Sequence, residues 1–140
     1  MDISCASPSG YTCQQKYVDQ ALKDAAITGS KILMTEDPFE ACDKADVIYT
    51  DTWTSMGQEE EKAKRVEIFK GYQVNSKLMD VLKMTKPDAI FMHCLPAYRG
   101  YEVTADVIDG PNSVVFDEAE NRLHAHKAIL VNCLLNERIS

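Results

Sequence analysis

A histidine and a cysteine end an apolar run in the tetrapeptide His93, Cys94, Leu95 and Pro96. The run, Ala-Ile-Phe-Met over residues 89–92, is typical of a buried strand, and the proline prevents the strand from continuing. Open α/β sheets bind ligands at the carboxyl ends of their parallel strands, so side chains placed here can touch a substrate. A thiolate at Cys94 could accept a hydrogen bond from an amine or take its proton. The tetrapeptide therefore predicts a small-molecule site.

Cys94 also has a purely structural interpretation, in which the thiol only packs in the core. Free cysteines are among the most buried residues of proteins, and most of them are chemically inert. The adjacent His93 and the position at the end of a strand favour chemistry over packing. The sequence alone leaves both interpretations open.

A second candidate site follows another apolar strand, Val47–Tyr49. Asp51 comes just after this strand and would supply a negative charge to an ammonium group. Ser55, Met56 and Gly57 would bring backbone groups close to a ligand at the start of the next helix, where free N–H groups favour a carboxylate. The loop could thus hold an amino acid at both ends. The alternative is a loop that merely leads into a helix, with Ser55 as its cap.

A third candidate is Arg122, near the start of the last helix and shortly after a predicted strand at residues 113–116. Its planar guanidinium could bind an oxygen of a ligand in the same cleft. Taken alone, the segment favours the alternative of a surface pair with Glu118, four residues earlier. His124 and His126 are two residues apart, so on a helix they face away from each other and we expect no metal site there.

The composition limits the function classes that the chain can have. It has 140 residues, enough for one domain, and its net charge of −7 argues against a nucleic-acid partner. No apolar run reaches the ~20 residues of a membrane span, and we expect no signal peptide. Five cysteines without a C-x-x-C motif predict reduced thiols in a cytosolic type of compartment. No glycine-rich phosphate loop supports a nucleotide cofactor.

The elements that must position these residues alternate between short apolar runs and stretches with helical spacing. Gly29 and Asp37 are expected to cap helices, and a third helix is expected to be capped by Asn75 or Ser76. This alternation predicts an α/β fold, an open parallel sheet flanked by helices. The predicted strands are 2–6, 31–34, 47–49, 89–92 and 113–116, and the predicted helices are 14–26, 38–44, 58–69, 76–83, 104–108 and 118–137.

Four segments occur in an order and at a spacing that resemble a known family. They are Asp-Thr-Trp-Thr-Ser-Met-Gly at 51–57, Tyr-Gln-Val-Asn at 72–75, His-Cys-Leu-Pro at 93–96 and Val-Phe-Asp-Glu-Ala-Glu-Asn-Arg at 115–122. Together they closely resemble the ornithine-binding domain of the ornithine carbamoyltransferases, over residues 1–135. Aspartate carbamoyltransferases carry His-Pro-Leu-Pro in place of the third segment, and the Ser-Met-Gly loop favours ornithine as the acceptor. The resemblance implies a Rossmann-like sheet.

The resemblance also implies a reaction, the transfer of a carbamoyl group from carbamoyl phosphate to the δ-amine of L-ornithine, which yields L-citrulline and phosphate in arginine biosynthesis or the urea cycle. It implies no metal and no organic cofactor. By the same resemblance Asp51, Ser55 and Met56 are the expected ornithine contacts, with Gly57 in support.

The remaining site residues implied by the resemblance surround the reacting atoms. Cys94 is the expected catalytic residue near the amine, and it also belongs to the expected carbamoyl phosphate contacts. Leu95 would lend its backbone to the carbamoyl group, and Arg122 would bind the carbamoyl oxygen. His93 and Pro96 would support the turn. A cation on that oxygen would stabilise the charge that develops in the transition state.

The family pattern is incomplete in this chain. The Ser-x-Arg-Thr-Arg and His-Pro-Thr-Gln segments of the carbamoyl phosphate-binding domain do not occur, so residues 1–140 are expected to form a single, partial ornithine-binding domain. We also expect that the domain's first strand, which lies in the centre of the family's sheet, is missing and leaves a gap. The chain alone is therefore expected to be inactive.

The resemblance has further implications and leaves alternatives. The complete enzymes of the family are homotrimers, expected in the cytoplasm or, in eukaryotes, in the mitochondrial matrix. A non-catalytic amino-acid-binding or interaction module derived from a carbamoyltransferase is the main alternative. A carbamoyltransferase for another amine, such as putrescine or an acylated ornithine, is another.

Overall fold

Short strands and helices alternate along the chain, as the sequence predicts. The computed structural model describes residues 1–54 and 61–135. In chain order the elements are β1 Ile3–Ala6, α1 Gln15–Thr28, β2 Ile32–Thr35, α2 Pro38–Cys42, β3 Val47–Thr50, α3 Lys62–Phe69, α4 Ser76–Thr85, β4 Ile90–His93, α5 Ala105–Ile108 and α6 Val115–Leu135. The α/β class is confirmed.

Local sequence determines where several helices begin and end. Gly29 follows α1 with φ of 74°, a left-handed conformation that costs glycine little. The Asp37 side chain accepts a hydrogen bond from the Phe39 N–H at 2.8 Å and so caps α2. The Asn75 side chain accepts one from the Leu78 N–H at 3.2 Å and caps α4. The predicted caps at Gly29 and Asp37 are confirmed, and of the two candidates for α4 the cap is Asn75, since Ser76 is the first residue of the helix.

The sheet is divided into two parallel pairs of strands. β1 pairs with β2, and β3 pairs with β4. In the described part of the chain no strand joins β1 to β3. A cavity of about 420 Å³ instead lies between them, lined by Ser4 and Ala6 on one side and by all of β3 on the other. The predicted gap in the sheet is therefore present, although parallel sheets are normally continuous and covered.

The main core surrounds β4. Phe91 in β4 and Val103 are 0% exposed, and Leu82 of α4 and Val115 of α6 are 1% exposed. Full burial of one such side chain stabilises the fold by ~1.5–3 kcal/mol. The tetrapeptide at the carboxyl end of β4 therefore follows the most buried of the described strands.

The prediction of a last strand over residues 113–116 is wrong in its extent. Ser113 forms only a single parallel bridge with Phe91. The Phe91 N–H donates to Asn112 O at 2.8 Å, and its C=O accepts from the Val114 N–H at 3.0 Å. Helix α6 then begins at Val115, with two acidic residues in its first turn where the helix dipole favours them. Burial of Val115 in the core needs the chain to turn at this point, which ends the pairing.

Helix α6 is otherwise exposed. Val115 is its one buried residue, while all its other large apolar side chains lie at the surface. The exposed apolar side chains are Phe116, Leu123, Ile129, Leu130, Val131, Leu134 and Leu135. Neither this helix nor any other in the described ranges has the length and apolarity that crossing a bilayer demands.

Candidate functional site

Parallel pairing of β3 with β4 brings two of the predicted sites together. Thr50 is the register partner of His93, so Asp51 and Cys94 leave the sheet next to each other. The Cys94 Sγ donates a hydrogen bond to Asp51 Oδ1 at 3.3 Å. A carboxylate and a thiol therefore share one site at the carboxyl ends of two neighbouring strands, where α/β sheets bind ligands.

The surroundings of Cys94 favour the thiol over the thiolate. Burial of the sulfur, followed by the hydrogen bond and charge of Asp51, raises the pKa of Cys94 above its ordinary value, and the Tyr49 hydroxyl acts in the opposite direction. At neutral pH the group is a neutral donor to Asp51. This differs from the thiolate considered from the sequence, because a negative neighbour disfavours a second negative charge.

Glu118 connects the two strands from the first turn of α6. Its Oε1 accepts a hydrogen bond from the Tyr49 hydroxyl at 3.1 Å, and its Oε2 accepts one from the His93 N–H at 3.1 Å. Burial, then hydrogen bonds to Cys94 and Glu118, raises the pKa of Tyr49. The sequence offered Glu118 only as a partner of Arg122, and the structure uses it to hold the site instead.

Arg122 lies one helical turn after Glu118 on the same face of α6 and is exposed. The predicted surface pair between the two does not form. Within the described ranges Arg122 takes part in no ion pair. Its guanidinium is therefore not engaged by an acidic side chain of the described residues.

His93 is fully buried, so it lies behind Cys94 and is not among the groups that are exposed to a ligand. Its Nδ1 accepts a hydrogen bond from the Leu95 N–H at 2.9 Å, and its Nε2 lies 3.3 Å from Glu102 Oε1. Donor atoms of Asp51, His93 and Cys94 lie within 4.8 Å of one another, a distance that a metal ion could bridge. Since both ring nitrogens already have protein partners, the arrangement is that of a hydrogen-bonded cluster.

Leu95 and Pro96 form the turn after Cys94. Leu95 adopts a left-handed backbone with φ of 54°, and its peptide bond to Pro96 is cis. The Leu95 N–H is bound to His93, which leaves its carbonyl oxygen as the backbone group that could meet a ligand.

Asp51 also lines one end of the cavity between β1 and β3, together with Thr52, Trp53 and Arg65. Arg65 donates from Nη1 to the Trp53 carbonyl at 3.1 Å and pairs with Glu61 at 3.2 Å. It thereby holds the start of the loop after β3, a role for which its helical spacing gave no signal. The other predicted ornithine contacts lie outside the described residues; they are Ser55, Met56 and the supporting Gly57.

Three comparisons bear on this arrangement. Residues 1–133 match the family model of the aspartate/ornithine carbamoyltransferase Asp/Orn binding domain. The ornithine carbamoyltransferase of Caldicellulosiruptor saccharolyticus is 61% identical over 131 residues, which are 94% of this chain and 42% of that protein. The ornithine carbamoyltransferase of Pyrococcus furiosus superposes with a TM-score of 0.83 at 54% identity, over 93% of this chain and 41% of that one.

The anabolic ornithine carbamoyltransferase of Campylobacter jejuni superposes with a TM-score of 0.84 at 43% identity, over 96% of this chain and 43% of that one. The chain thus spans about two fifths of the length of the relatives that it matches. The residues that bring Asp51 and Cys94 together lie within the matched range. The chain belongs to the aspartate/ornithine carbamoyltransferase family, through its Asp/Orn binding domain.

Proposed function

We propose that this chain supplies the ornithine-binding half of an ornithine carbamoyltransferase active site. The contact between Cys94 and Asp51 carries the proposal, because it joins an anionic group and a polar sulfur at the ligand-binding edge of the sheet. The three relatives described above are ornithine carbamoyltransferases by name, which supports ornithine as the amino acid. The substrates would be L-ornithine and carbamoyl phosphate, and the products L-citrulline and phosphate.

Each described group has a distinct task in this proposal. Asp51 attracts a positively charged amino group of ornithine and orients that group beside Cys94. The δ-amine must lose its proton before it attacks. The Asp51 carboxylate can take this proton, and the Cys94 sulfur can then accept a hydrogen bond from the neutral amine. Arg122 binds the carbamoyl oxygen and stabilises its developing negative charge. The Leu95 carbonyl accepts a hydrogen bond from the carbamoyl NH₂.

Contacts to the phosphate would come from the part of the relatives that this chain does not match. We therefore propose that the chain alone binds ornithine without turnover, and that turnover and the homotrimer belong to the complete enzyme. The five free cysteines fit a reducing compartment such as the cytoplasm.

A thermal melt of the chain with and without millimolar L-ornithine tests the proposal. Binding to the native state raises Tm by mass action, by the equivalent of ~2.7 kcal/mol at 100 times Kd. Asp51→Asn should abolish the rise. Asp80→Asn, the same change at an exposed site on α4, should leave it intact. An equal rise in both variants would count against Asp51 as the ornithine anchor.

Competition and turnover then separate the alternatives. Putrescine or N-acetylornithine that displaces ornithine from the chain would favour another acceptor amine. Mixing the chain with the unmatched part of the Caldicellulosiruptor saccharolyticus enzyme should produce citrulline. Ornithine binding without citrulline in that mixture would favour a non-catalytic amino-acid-binding module.

A further inference from the structure

Glu102 is a carboxyl group buried beneath the turn that carries Cys94. Its side chain is 1% exposed, and it is the one acidic residue of the described chain that is buried. Such a group is retained only where hydrogen bonds replace its lost hydration. Its Oε1 accepts from the Tyr98 N–H at 2.6 Å and lies 3.3 Å from His93 Nε2. Both partners are close to Cys94 in sequence, so Glu102 acts on that turn.

The backbone of Glu102 is itself firmly held. Its carbonyl accepts a hydrogen bond from the Val74 N–H at 2.9 Å, and the next residue, Val103, is fully buried. The Gln73 side chain donates to the Gly100 carbonyl at 2.9 Å and closes the loop on its other side. The Glu102 side chain therefore projects from a rigid base, and a rigid base can impose an orientation on its partners.

The hydrogen bonds determine the tautomer of His93. Its Nδ1 accepts from the Leu95 N–H, so this nitrogen carries no proton. The proton of the neutral ring must then be on Nε2, from which it is donated to Glu102 Oε1. A carboxyl oxygen opposite Nε2 favours this tautomer and fixes the plane of the ring.

The ring in turn supports an unfavourable backbone. Leu95 has φ of 54°, a left-handed conformation that disfavours residues with a side chain, and its N–H is held by His93 Nδ1. Cys94 lies between these two residues, so its Cα–Cβ direction depends on both. Its Sγ points to Asp51 at 3.3 Å.

We propose that Glu102 is a positioning residue for Cys94: it holds His93 in the tautomer that binds the Leu95 N–H, and the turn held in this way directs the thiol at Asp51. The catalytic meaning of this role rests on the proposed function. The direction of the Cys94 thiol does not depend on the proposed function, and it can be measured on the chain without any substrate.

Alkylation by iodoacetamide reports the direction of the Cys94 thiol. The rate of alkylation at each cysteine is followed by mass spectrometry over a range of pH. The groups that face the Cys94 thiol are Asp51 and Tyr49, with Glu118 behind Tyr49, and their net effect together with burial is a raised pKa. Release of the thiol from Asp51 should lower this pKa. We expect Glu102→Ala to alkylate Cys94 at least about threefold faster at neutral pH, which corresponds to about half a pKa unit.

Matched variants separate positioning from stability. In Glu102→Gln the amide oxygen can accept the same two hydrogen bonds, so the Cys94 profile should remain that of the parent chain. Asp51→Asn should shift the profile as Glu102→Ala does, and the double variant should shift it no further. Cys42 is half-buried and has a pKa raised to about 11, so its alkylation stays slow as long as the chain is folded. An unchanged Cys94 profile in Glu102→Ala, with Cys42 still slow, would overturn the proposal.

A second measurement tests the proposal even if the Glu102→Ala variant does not fold. The long-range ¹H–¹⁵N imidazole spectrum of the unaltered chain should show His93 as the Nε2–H tautomer, distinct from the exposed His124 and His126. Glu102→Gln should retain this signature. A His93 ring protonated at Nδ1 would overturn the proposal.

Discussion

Thr50 and His93 are register partners in the parallel pair of β3 and β4, and this pairing places Asp51 beside Cys94. The two side chains are 43 residues apart in sequence. Because both strands run in the same direction, their carboxyl ends open at the same edge of the sheet. Two sites that the sequence predicts separately are therefore a single site.

Glu118 should contribute measurably to stability, because it accepts hydrogen bonds from both Tyr49 and His93. Glu118→Ala leaves these two donors without their partner and should lower the free energy of unfolding by ~1–3 kcal/mol. Urea denaturation measures the change. Glu120→Ala, at an exposed position of the same helix, should cost less than ~0.5 kcal/mol. Equal losses would mean that Glu118 acts only through helix propensity.

The cap at Asn75 should account for much of the stability of α4. Asn75→Ala removes the acceptor of the Leu78 N–H and should destabilise the chain by ~1 kcal/mol. Asn75→Asp keeps a side-chain oxygen in place and should be close to neutral. A calorimetric melt of the two variants gives the comparison, and a similar Tm for both would show that the cap contributes little.

Alkaline pH should weaken the fold through Cys42. Burial, helped by the charge of Asp37, raises its pKa to about 11, while an unfolded thiol titrates near ~8.5. The folded-state pKa is the higher one, so the contribution is complete below the unfolded pKa and is lost as pH rises toward the folded value. Urea unfolding at neutral and alkaline pH should show a smaller alkaline loss in Cys42→Ala than in Cys133→Ala. Parallel losses would contradict the burial effect.

The gap between β1 and β3 should be visible in amide exchange. Backbone N–H groups on the cavity side of β3 have no strand partner in the described chain, whereas those facing β4 are paired. We expect the cavity-side amides of β3 to exchange much faster than the paired ones. Addition of the unmatched part of the Caldicellulosiruptor saccharolyticus enzyme should slow them if a strand enters the gap. Exchange that stays equally slow on both sides of β3 would mean that the gap is already closed.

Features that depend on a few neighbouring residues could be predicted from the sequence. The caps at Gly29, Asp37 and Asn75 are confirmed because a cap needs only one residue type and the backbone within three or four positions. The position of Asp51 and Cys94 after apolar runs was equally readable, since short apolar runs bounded by turns form strands. The full length of the last strand was not readable, because burial of Val115 ends it early.

The sequence by itself determined the α/β class, the capped ends of α1, α2 and α4, and the two strand ends that carry the candidate chemistry, because these follow from local composition and spacing. Only the tertiary structure decided which distant groups meet there. Glu102 reaches His93 across nine residues, and Glu118 reaches Tyr49 across 69. Such contacts depend on strand register and on burial of the whole core, and neither is encoded in the spacing of residues along one segment.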